Sequence, residues 1–160
     1  MTDELDLLLE LAGGHARAVL VDMKEADLTP TFIMIADGET LFAPTPWRDE
    51  KDKAKYLGAL RALMKDRGVT RYSMVSEAWT AKQPEGWKPG MPQGPLPGDR
   101  PDRKEVVIAL AADKTNTKSR IWEIVRGESG AVVDLRLDKA GLKDLVGGRM
   151  AELLRHKEGA

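Results

Sequence analysis

The sequence contains no cysteine, and this absence excludes several classes of protein. Disulfide-stabilised domains, thiolate zinc sites, iron–sulfur clusters and cysteine nucleophiles all require that residue. Long apolar runs are missing as well, since none approaches the roughly 20 residues of a membrane-spanning helix. The N-terminus is acidic, with Asp3, Glu4 and Asp6 where a secretory signal would carry basic residues. We therefore expect a cytoplasmic protein that does not enter a membrane.

An excess of charge of one sign is also lacking. The formal net charge is −1, and acidic and basic residues alternate along most of the chain. Affinity for nucleic-acid phosphates or anionic membrane surfaces comes mainly from an excess of Lys and Arg, so neither partner is predicted. Aromatic residues make up only 5% of the 160 residues, so aliphatic side chains must fill the core. This length predicts a single domain covering residues 1–160.

Sequence motifs for metal or cofactor binding are absent. The two histidines, His15 and His156, lie near opposite ends, and neither has a histidine four residues further on or a motif acid beside it. The acidic residues between Asp22 and Asp27 match no calcium-binding spacing. No dinucleotide-binding or Walker pattern occurs, and no serine lies in a nucleophile-elbow context. We predict no cofactor and no metal site, and we assign no catalytic residue.

A first helix is predicted near the N-terminus from apolar residues at helical spacing. Its apolar stripe runs from Leu5 to Ala12, after which Gly13 and Gly14 interrupt the helix. Residues 16–23 then either resume the helix, which we favour, or form a short strand.

A second helix is predicted from about Asp49 to Arg67. Acidic residues occupy its first turn, and Gly68 follows where a C′ glycine is expected. Its predicted buried stripe consists of Leu57, Leu60, Leu63 and Met64. A third helix is predicted from about Lys139 to Arg155.

Strand-like segments alternate with turn signals through the rest of the chain. Asp37-Gly38 is a strong hairpin signal, and a second hairpin is predicted around Gly127-Glu-Ser-Gly130. The predicted strands are residues 31–36, 39–43, 69–79, 104–112, 120–126 and 131–137, with a polar turn at 113–118. The strand at 104–112 is apolar on both faces, so we expect it to be central. We predict an α+β fold with an antiparallel or mixed sheet of about six strands and helices at the N-terminus, in the middle and at the C-terminus.

A loop of residues 83–101 joins two predicted strands and holds six of the nine prolines. Pro89, Pro92 and Pro95 are spaced by three, the period of the polyproline II helices that dock into aromatic grooves. Trp87 and Met91 add apolar contact surface. Loops of this length are usually functional or disordered; the alternative is a stiff crossover packed on its own domain. The candidate partner-binding residues are Trp79, Trp87, Pro89, Met91, Pro92 and Pro95.

Acidic residues flank this loop at Glu77 and Glu105. Glu77 shares a strand face with Val75 and Trp79, and a carboxylate beside apolar groups can have the raised pKa of a general acid. The alternative is structural: Glu77 or Glu105 forms an ion pair with Arg103 or a nearby lysine and holds the base of the loop.

Two short motifs on either side of the loop resemble those of a family of small uncharacterised bacterial and phage-associated proteins. These proteins share a strand that ends in Ser-Glu-Ala-Trp, here residues 76–79, a proline-rich loop, and an Asp-Arg-x-Glu-Val strand start, here residues 102–106. The resemblance covers about residues 30–125. The family has no established activity, so the resemblance implies no catalytic residues. It draws attention to Glu77, Trp79, Arg103 and Glu105.

These patterns support three hypotheses about function. The first, which we favour, is a non-enzymatic binding or interaction protein that contacts a protein partner through the loop of residues 83–101. The second is a small hydrolase or metal-dependent enzyme that uses Glu77 and Glu105, and it requires the two carboxylates to converge in an open pocket. The third is a homodimer formed through an exposed edge strand.

Overall fold

The computed structural model describes residues 4–80 and 104–138, with only the backbone of Trp79 and Thr80. Six strands lie within these ranges: β1 Thr31–Ala36, β2 Glu39–Pro44, β3 Arg71–Thr80, β4 Lys104–Ala112, β5 Thr117–Arg126 and β6 Val132–Asp138. They form one sheet in the order β2-β1-β3-β4-β5-β6, and every neighbouring pair is antiparallel. The predicted α+β class with a sheet of about six strands is confirmed, and β4 is an interior strand as expected.

The N-terminal helix is continuous. α1, Glu4–Arg17, leads directly into a π-helical turn, Ala18–Asp22. Residues 16–22 are therefore helical, as favoured for residues 16–23, but the prediction that Gly13 and Gly14 interrupt the helix is wrong. The buried side of α1 consists of Leu5, Leu8, Leu9, Ala12 and Ala16. Packing of this side on the sheet offsets the roughly 1 kcal/mol that each interior glycine costs relative to alanine.

The second helix, α2, Glu50–Arg67, begins and ends where the sequence signals predict. The Asp49 carboxylate accepts a hydrogen bond from the backbone N–H of Asp52 at 2.7 Å, which caps the first turn. Gly68 ends the helix with φ of 65°, a left-handed conformation that glycine adopts without steric cost. The N–H of Val69 still donates to a carbonyl in the last turn of α2. The next strand therefore begins at Arg71 and not at the predicted Val69.

The buried face of α2 is narrower than predicted. Leu57, Leu60 and Met64 are buried, but Leu63 is 37% exposed, so its place in the buried stripe is wrong. Leu63 lies about 100° round the helix axis from Met64, at the border of the buried face. Among the described helices, none is long and apolar enough to span a membrane.

The turn between β4 and β5 is shorter than predicted. The Asp113 carboxylate accepts hydrogen bonds from the backbone N–H groups of Thr115 and Asn116, at 2.8 and 2.6 Å. This Asx-type arrangement completes the turn within a few residues. β5 consequently begins at Thr117, three residues before the predicted start at Arg120.

The two faces of the sheet have separate cores. α1 covers one core, which includes Ile33, Val75 and Val107 of the sheet. α2 covers the other, which includes Phe32 and Tyr72. The predicted helix from about residue 139 to 155 and the loop of residues 83–101 lie outside the described residues.

Candidate functional site

Glu77 and Glu105 lie on the same face of the sheet, on neighbouring strands. In the β3–β4 ladder, Glu77 is opposite Val107 and Trp79 is opposite Glu105. The two acids are therefore diagonal neighbours, close enough for long side chains to interact. They lie at the end of the sheet where the chain leaves β3 and returns in β4. The structure thus brings together the two acids that the sequence singled out.

Each of these carboxylates has a partner. Glu77 accepts a hydrogen bond from the backbone N–H of Leu28, in the segment between the π-helical turn and β1. Glu105 forms an ion pair with Arg126 of β5, with 2.7 Å between Oε2 and Nε. These contacts hold the segment before β1 and the end of β5 against the β3–β4 pair. Arg103, the partner expected from the sequence, lies outside the described residues.

The pKa of Glu77 is raised above its ordinary value. Burial is the largest cause, because it disfavours the charged carboxylate, and the hydrogen bond from Leu28 opposes it. The negative charges of Asp27 and Glu105 raise the pKa further, while the positive charge of Arg126 lowers it. Glu77 therefore keeps its proton to a higher pH than a solvent-exposed glutamate does.

The cavity between the two acids is small. It has a volume of about 120 Å³ and is lined by Glu77, Ala78, Glu105 and Ile124. Ligand-binding pockets typically have volumes of about 300–1,000 Å³. Within residues 4–80 and 104–138, no three His, Asp or Glu side chains are grouped as metal ligands. The acids therefore converge, as the enzyme hypothesis requires, but around a space too small for a typical substrate.

The predicted partner-binding residues of the loop lie outside the described part of the chain. They are Trp87, Pro89, Met91, Pro92 and Pro95. Of Trp79 only the backbone is described, and it pairs with Glu105 in the sheet. A role of the loop in binding stays a prediction.

A larger, apolar groove lies between α1 and the edge strand β2. It has a volume of about 560 Å³ and is lined by Leu7, Glu10, Leu11, Gly14, His15 and Phe42. Its large apolar side chains leave about half of their surface exposed: Leu7 47%, Leu11 43% and Phe42 52%. Contiguous exposed apolar side chains of this kind mark ligand-binding or protein-binding surfaces.

Two ionisable residues border the groove. The His15 ring lies beside the Phe42 ring, with 6.0 Å between centroids and 44° between planes. Burial lowers the pKa of His15 below its ordinary value, which favours the neutral imidazole near neutral pH. Glu10 is exposed at the rim. The groove therefore combines an uncharged apolar floor with one carboxylate at its border.

Comparisons of this chain with protein-family models, with curated proteins and with solved structures find no match. The resemblance drawn from residues 76–79 and 102–106 stays a prediction. Function is therefore inferred from the described side chains and their surroundings.

The sequence predictions did not include the groove. Leu7 and Leu11 are four residues apart, so they share one side of α1, and His15 continues that side. This second apolar stripe is a signal that the sequence carries. Phe42 has no such signal, because it joins the groove only through the position of β2 in the sheet.

Proposed function

We propose that this protein is a non-enzymatic binding protein that acts through contact with another protein chain. The observation that carries the proposal is the exposed apolar groove between α1 and β2. Leu7, Leu11 and Phe42 leave about half of their surface in water, and covering apolar surface gains about 25 cal/mol per Å². A partner that covers these side chains recovers this free energy.

A protein partner suits the groove better than a small molecule does. The groove borders β2, an edge strand whose outward backbone groups also need hydrogen-bond partners. An extended protein segment supplies main-chain hydrogen bonds to an edge strand and side chains for the adjacent groove. A small apolar ligand would supply only the second kind of contact.

The loop of residues 83–101 is a second predicted contact region in this proposal. The spacing of Pro89, Pro92 and Pro95 is that of a polyproline II ligand. The cytoplasmic location expected from the composition likewise stays a prediction.

The test is to immobilise the protein and identify by mass spectrometry what it retains from a lysate of its source cells. Four forms are compared: the wild type, Phe42→Lys, a form with residues 83–101 replaced by a short Gly/Ser linker, and Val133→Lys. Val133 is a matched control, because it is an apolar residue with 54% exposure on the opposite edge strand. We expect a protein that the wild type and Val133→Lys retain and Phe42→Lys loses. Loss with the loop-replaced form alone would move the contact to the loop, and equal retention by all four forms would contradict the proposal.

A carboxylate-dependent hydrolase is the second candidate function. The observation in its favour is the raised pKa of Glu77 beside Glu105, because a general acid must hold its proton near the working pH. The test is to assay hydrolysis of model esters, phosphate esters and glycosides by the wild type and Glu77→Gln. Hydrolysis that folded Glu77→Gln protein has lost would favour the enzyme over the binding protein.

A further inference from the structure

The two edges of the sheet are built differently. β6 carries the charged residues Asp134 and Arg136, and its register with β5 shifts between Val125 and Arg126. Charged side chains and such irregularities are the usual protection of a free edge against pairing with another chain. β2 pairs with β1 in regular register and has one charged residue, Glu39, beside the turn and one proline, Pro44, at its other end. Residues 40–43 between them therefore lack the protection that β6 has.

Hydrogen bonds at both ends of β1 show which backbone groups of β2 face outward. The Ile35 carbonyl accepts a hydrogen bond from the N–H of Thr70. The backbone N–H and C=O of Ile35 therefore point toward β3 and away from Thr40, the residue opposite Ile35 in β2. At the other end, the Thr45 N–H donates to the Pro30 carbonyl at 2.7 Å, so this pair is hydrogen-bonded. Hydrogen-bonded and non-bonded pairs alternate along an antiparallel ladder. Counting along the β1–β2 ladder from either end gives the same set of hydrogen-bonded pairs.

This alternation leaves every second residue of β2 without a backbone hydrogen bond to β1. Thr40 and Phe42 therefore direct their N–H and C=O groups to the open edge. Pro44, the next residue in this series, has no N–H to offer. The open edge of β2 thus presents the N–H groups of Thr40 and Phe42, and Phe42 also lines the groove.

We propose that β2 pairs antiparallel with β2 of a second copy of this chain, in a register centred on Leu41. Thr40 of each copy then lies opposite Phe42 of the other, and each such pair exchanges both backbone hydrogen bonds. A register centred on Phe42 would place Thr40 opposite Pro44, which lacks the N–H for one of these bonds. The register centred on Leu41 satisfies the outward N–H groups of both Thr40 and Phe42.

The same register brings apolar side chains together on both faces. On the α1 face, the two Phe42 side chains become diagonal neighbours, so the two grooves adjoin at the symmetry axis and each is completed by Phe42 of the second copy. On the α2 face, Leu41, which packs against the second core, meets its counterpart. Stable interfaces bury about 1,200–2,000 Å². Strand pairing alone does not supply that area, and Leu7, Leu11 and Phe42 supply apolar surface beside it.

This inference rests on the proposed function, since it names a second copy as the partner of the same surface. The first experiment measures the association state by sedimentation equilibrium over a range of protein concentrations. The variants are Thr40→Pro, which removes an N–H that β1 does not use, Phe42→Lys, and Val133→Lys on the opposite edge. We expect a dimer for the wild type and Val133→Lys, and a dissociation constant raised about tenfold or more for Thr40→Pro and Phe42→Lys. Circular dichroism and urea unfolding verify that each variant is folded.

The second experiment tests the register by cysteine cross-linking. The chain has no cysteine of its own, so Leu41→Cys introduces a single thiol. In the proposed register the two residues at position 41 form a non-hydrogen-bonded pair with Cα atoms about 4.5 Å apart, within the range for a disulfide. Ala43→Cys is the matched control, because it lies on the same side of the same strand but faces Glu39 of the second copy. Mild oxidation is expected to cross-link Leu41→Cys and leave Ala43→Cys monomeric on non-reducing gels.

The outcomes separate this inference from the proposed function. A wild-type protein that is monomeric at every concentration overturns the pairing of β2. A dimer that Thr40→Pro does not weaken and that Leu41→Cys does not cross-link overturns it as well. If such a monomer still retains a foreign protein that Phe42→Lys loses, the proposed binding function stands without the dimer. If it retains nothing that depends on Phe42 or on residues 83–101, both fail.

Discussion

The indole ring of Trp122 lies against the backbone of Gly13. A Cβ atom placed on Gly13 would be 2.7 Å from Cζ2 of Trp122, closer than carbon atoms approach without a shift of one of them. A Cβ atom on the neighbouring Gly14 would have no atom within 4 Å. The two glycines of α1 therefore have different effects. Gly13 leaves space for the Trp122 ring of β5, whereas Gly14 lowers the stability of the helix without such a contact.

This difference predicts opposite responses to alanine. Gly14→Ala is expected to raise the free energy of unfolding by about 0.5–1 kcal/mol, because alanine loses less backbone freedom on helix formation. Gly13→Ala gains the same term but crowds Trp122, and overpacking costs about 1–3 kcal/mol. Urea unfolding of both variants measures the difference. An equal gain from the two substitutions would mean that Trp122 moves aside freely.

Leu60 and Leu63 form a matched pair on α2. Leu60 is 5% exposed in the second core, whereas Leu63 is 37% exposed. Leu60→Ala is expected to lower the free energy of unfolding by about 2–5 kcal/mol, the usual cost of truncating a buried leucine. Leu63→Ala should cost less, about 1 kcal/mol, because more than a third of the Leu63 surface is already in water and less buried surface is lost. Denaturant unfolding of the two proteins tests this, and similar losses would show that the buried face of α2 is misassigned.

Ser73 is a buried residue whose hydroxyl has no hydrogen-bond partner within the described part of the chain. Burying an unpaired hydroxyl costs about 1–3 kcal/mol by mutational measures. We therefore expect Ser73→Ala to leave the free energy of unfolding unchanged or to raise it. Thr45→Ala is the control, because the buried Thr45 hydroxyl donates to the Pro30 carbonyl at 2.9 Å. It should lose about 1 kcal/mol, and a comparable loss for Ser73→Ala would reveal a partner for the Ser73 hydroxyl.

The raised pKa of Glu77 predicts a specific pH dependence of stability. The folded-state pKa lies above the ordinary value of 4.5, so the folded protein holds this proton more tightly than the unfolded chain. The contribution of Glu77 is therefore fully present below the unfolded pKa and is lost as the pH rises through the folded pKa. Glu77→Gln keeps an oxygen acceptor for Leu28 but does not titrate. The stability of the wild type relative to Glu77→Gln should fall as the pH rises from the ordinary pKa of 4.5 through the raised folded-state pKa.

Urea unfolding of both proteins across this range gives the measurement. Glu128→Gln is the control, at an exposed glutamate in the turn between β5 and β6. It shows how the pH dependence of stability changes when a carboxylate on the surface is removed. Glu77→Ala should be less stable than Glu77→Gln at every pH, by about 1 kcal/mol, since it leaves the Leu28 N–H without its acceptor. If the stability of the wild type relative to Glu77→Gln instead rises with pH, the Glu77 carboxylate is stabilised by a cation.

Local signals in the sequence predicted most of the secondary structure. α2 has a capping aspartate at Asp49 and a left-handed Gly68, and both act within one helical turn. Asp37 and Gly38 form the β1–β2 turn with positive φ values of 50° and 78°. Among the predictions that are wrong, the one about Gly13 fails because of its contact with Trp122 of β5. Helix propensity cannot register that contact, because it comes from residues distant in sequence.

For the two acids, too, the sequence predicted one feature and the tertiary structure decided another. Glu77 and Glu105 could be expected near each other, because each flanks the loop between antiparallel neighbours. Their partners could not be predicted: Leu28 lies 49 residues from Glu77 and Arg126 lies 21 residues from Glu105. Such contacts depend on which strands become neighbours, and no local pattern encodes strand order.

The sequence by itself determined the α+β class, the hairpins and the presence of two apolar stripes on α1. Only the tertiary structure decided which stripe is buried and which remains on the surface. α1 packs its Leu5–Ala16 side on the sheet, and the side with Leu7 and Leu11 is left beside Phe42. The physical reason is that an amphipathic pattern shows that an apolar side favours burial, but it does not show which other element will cover that side. The position of β2 at the sheet edge, which follows from strand order, leaves the groove open.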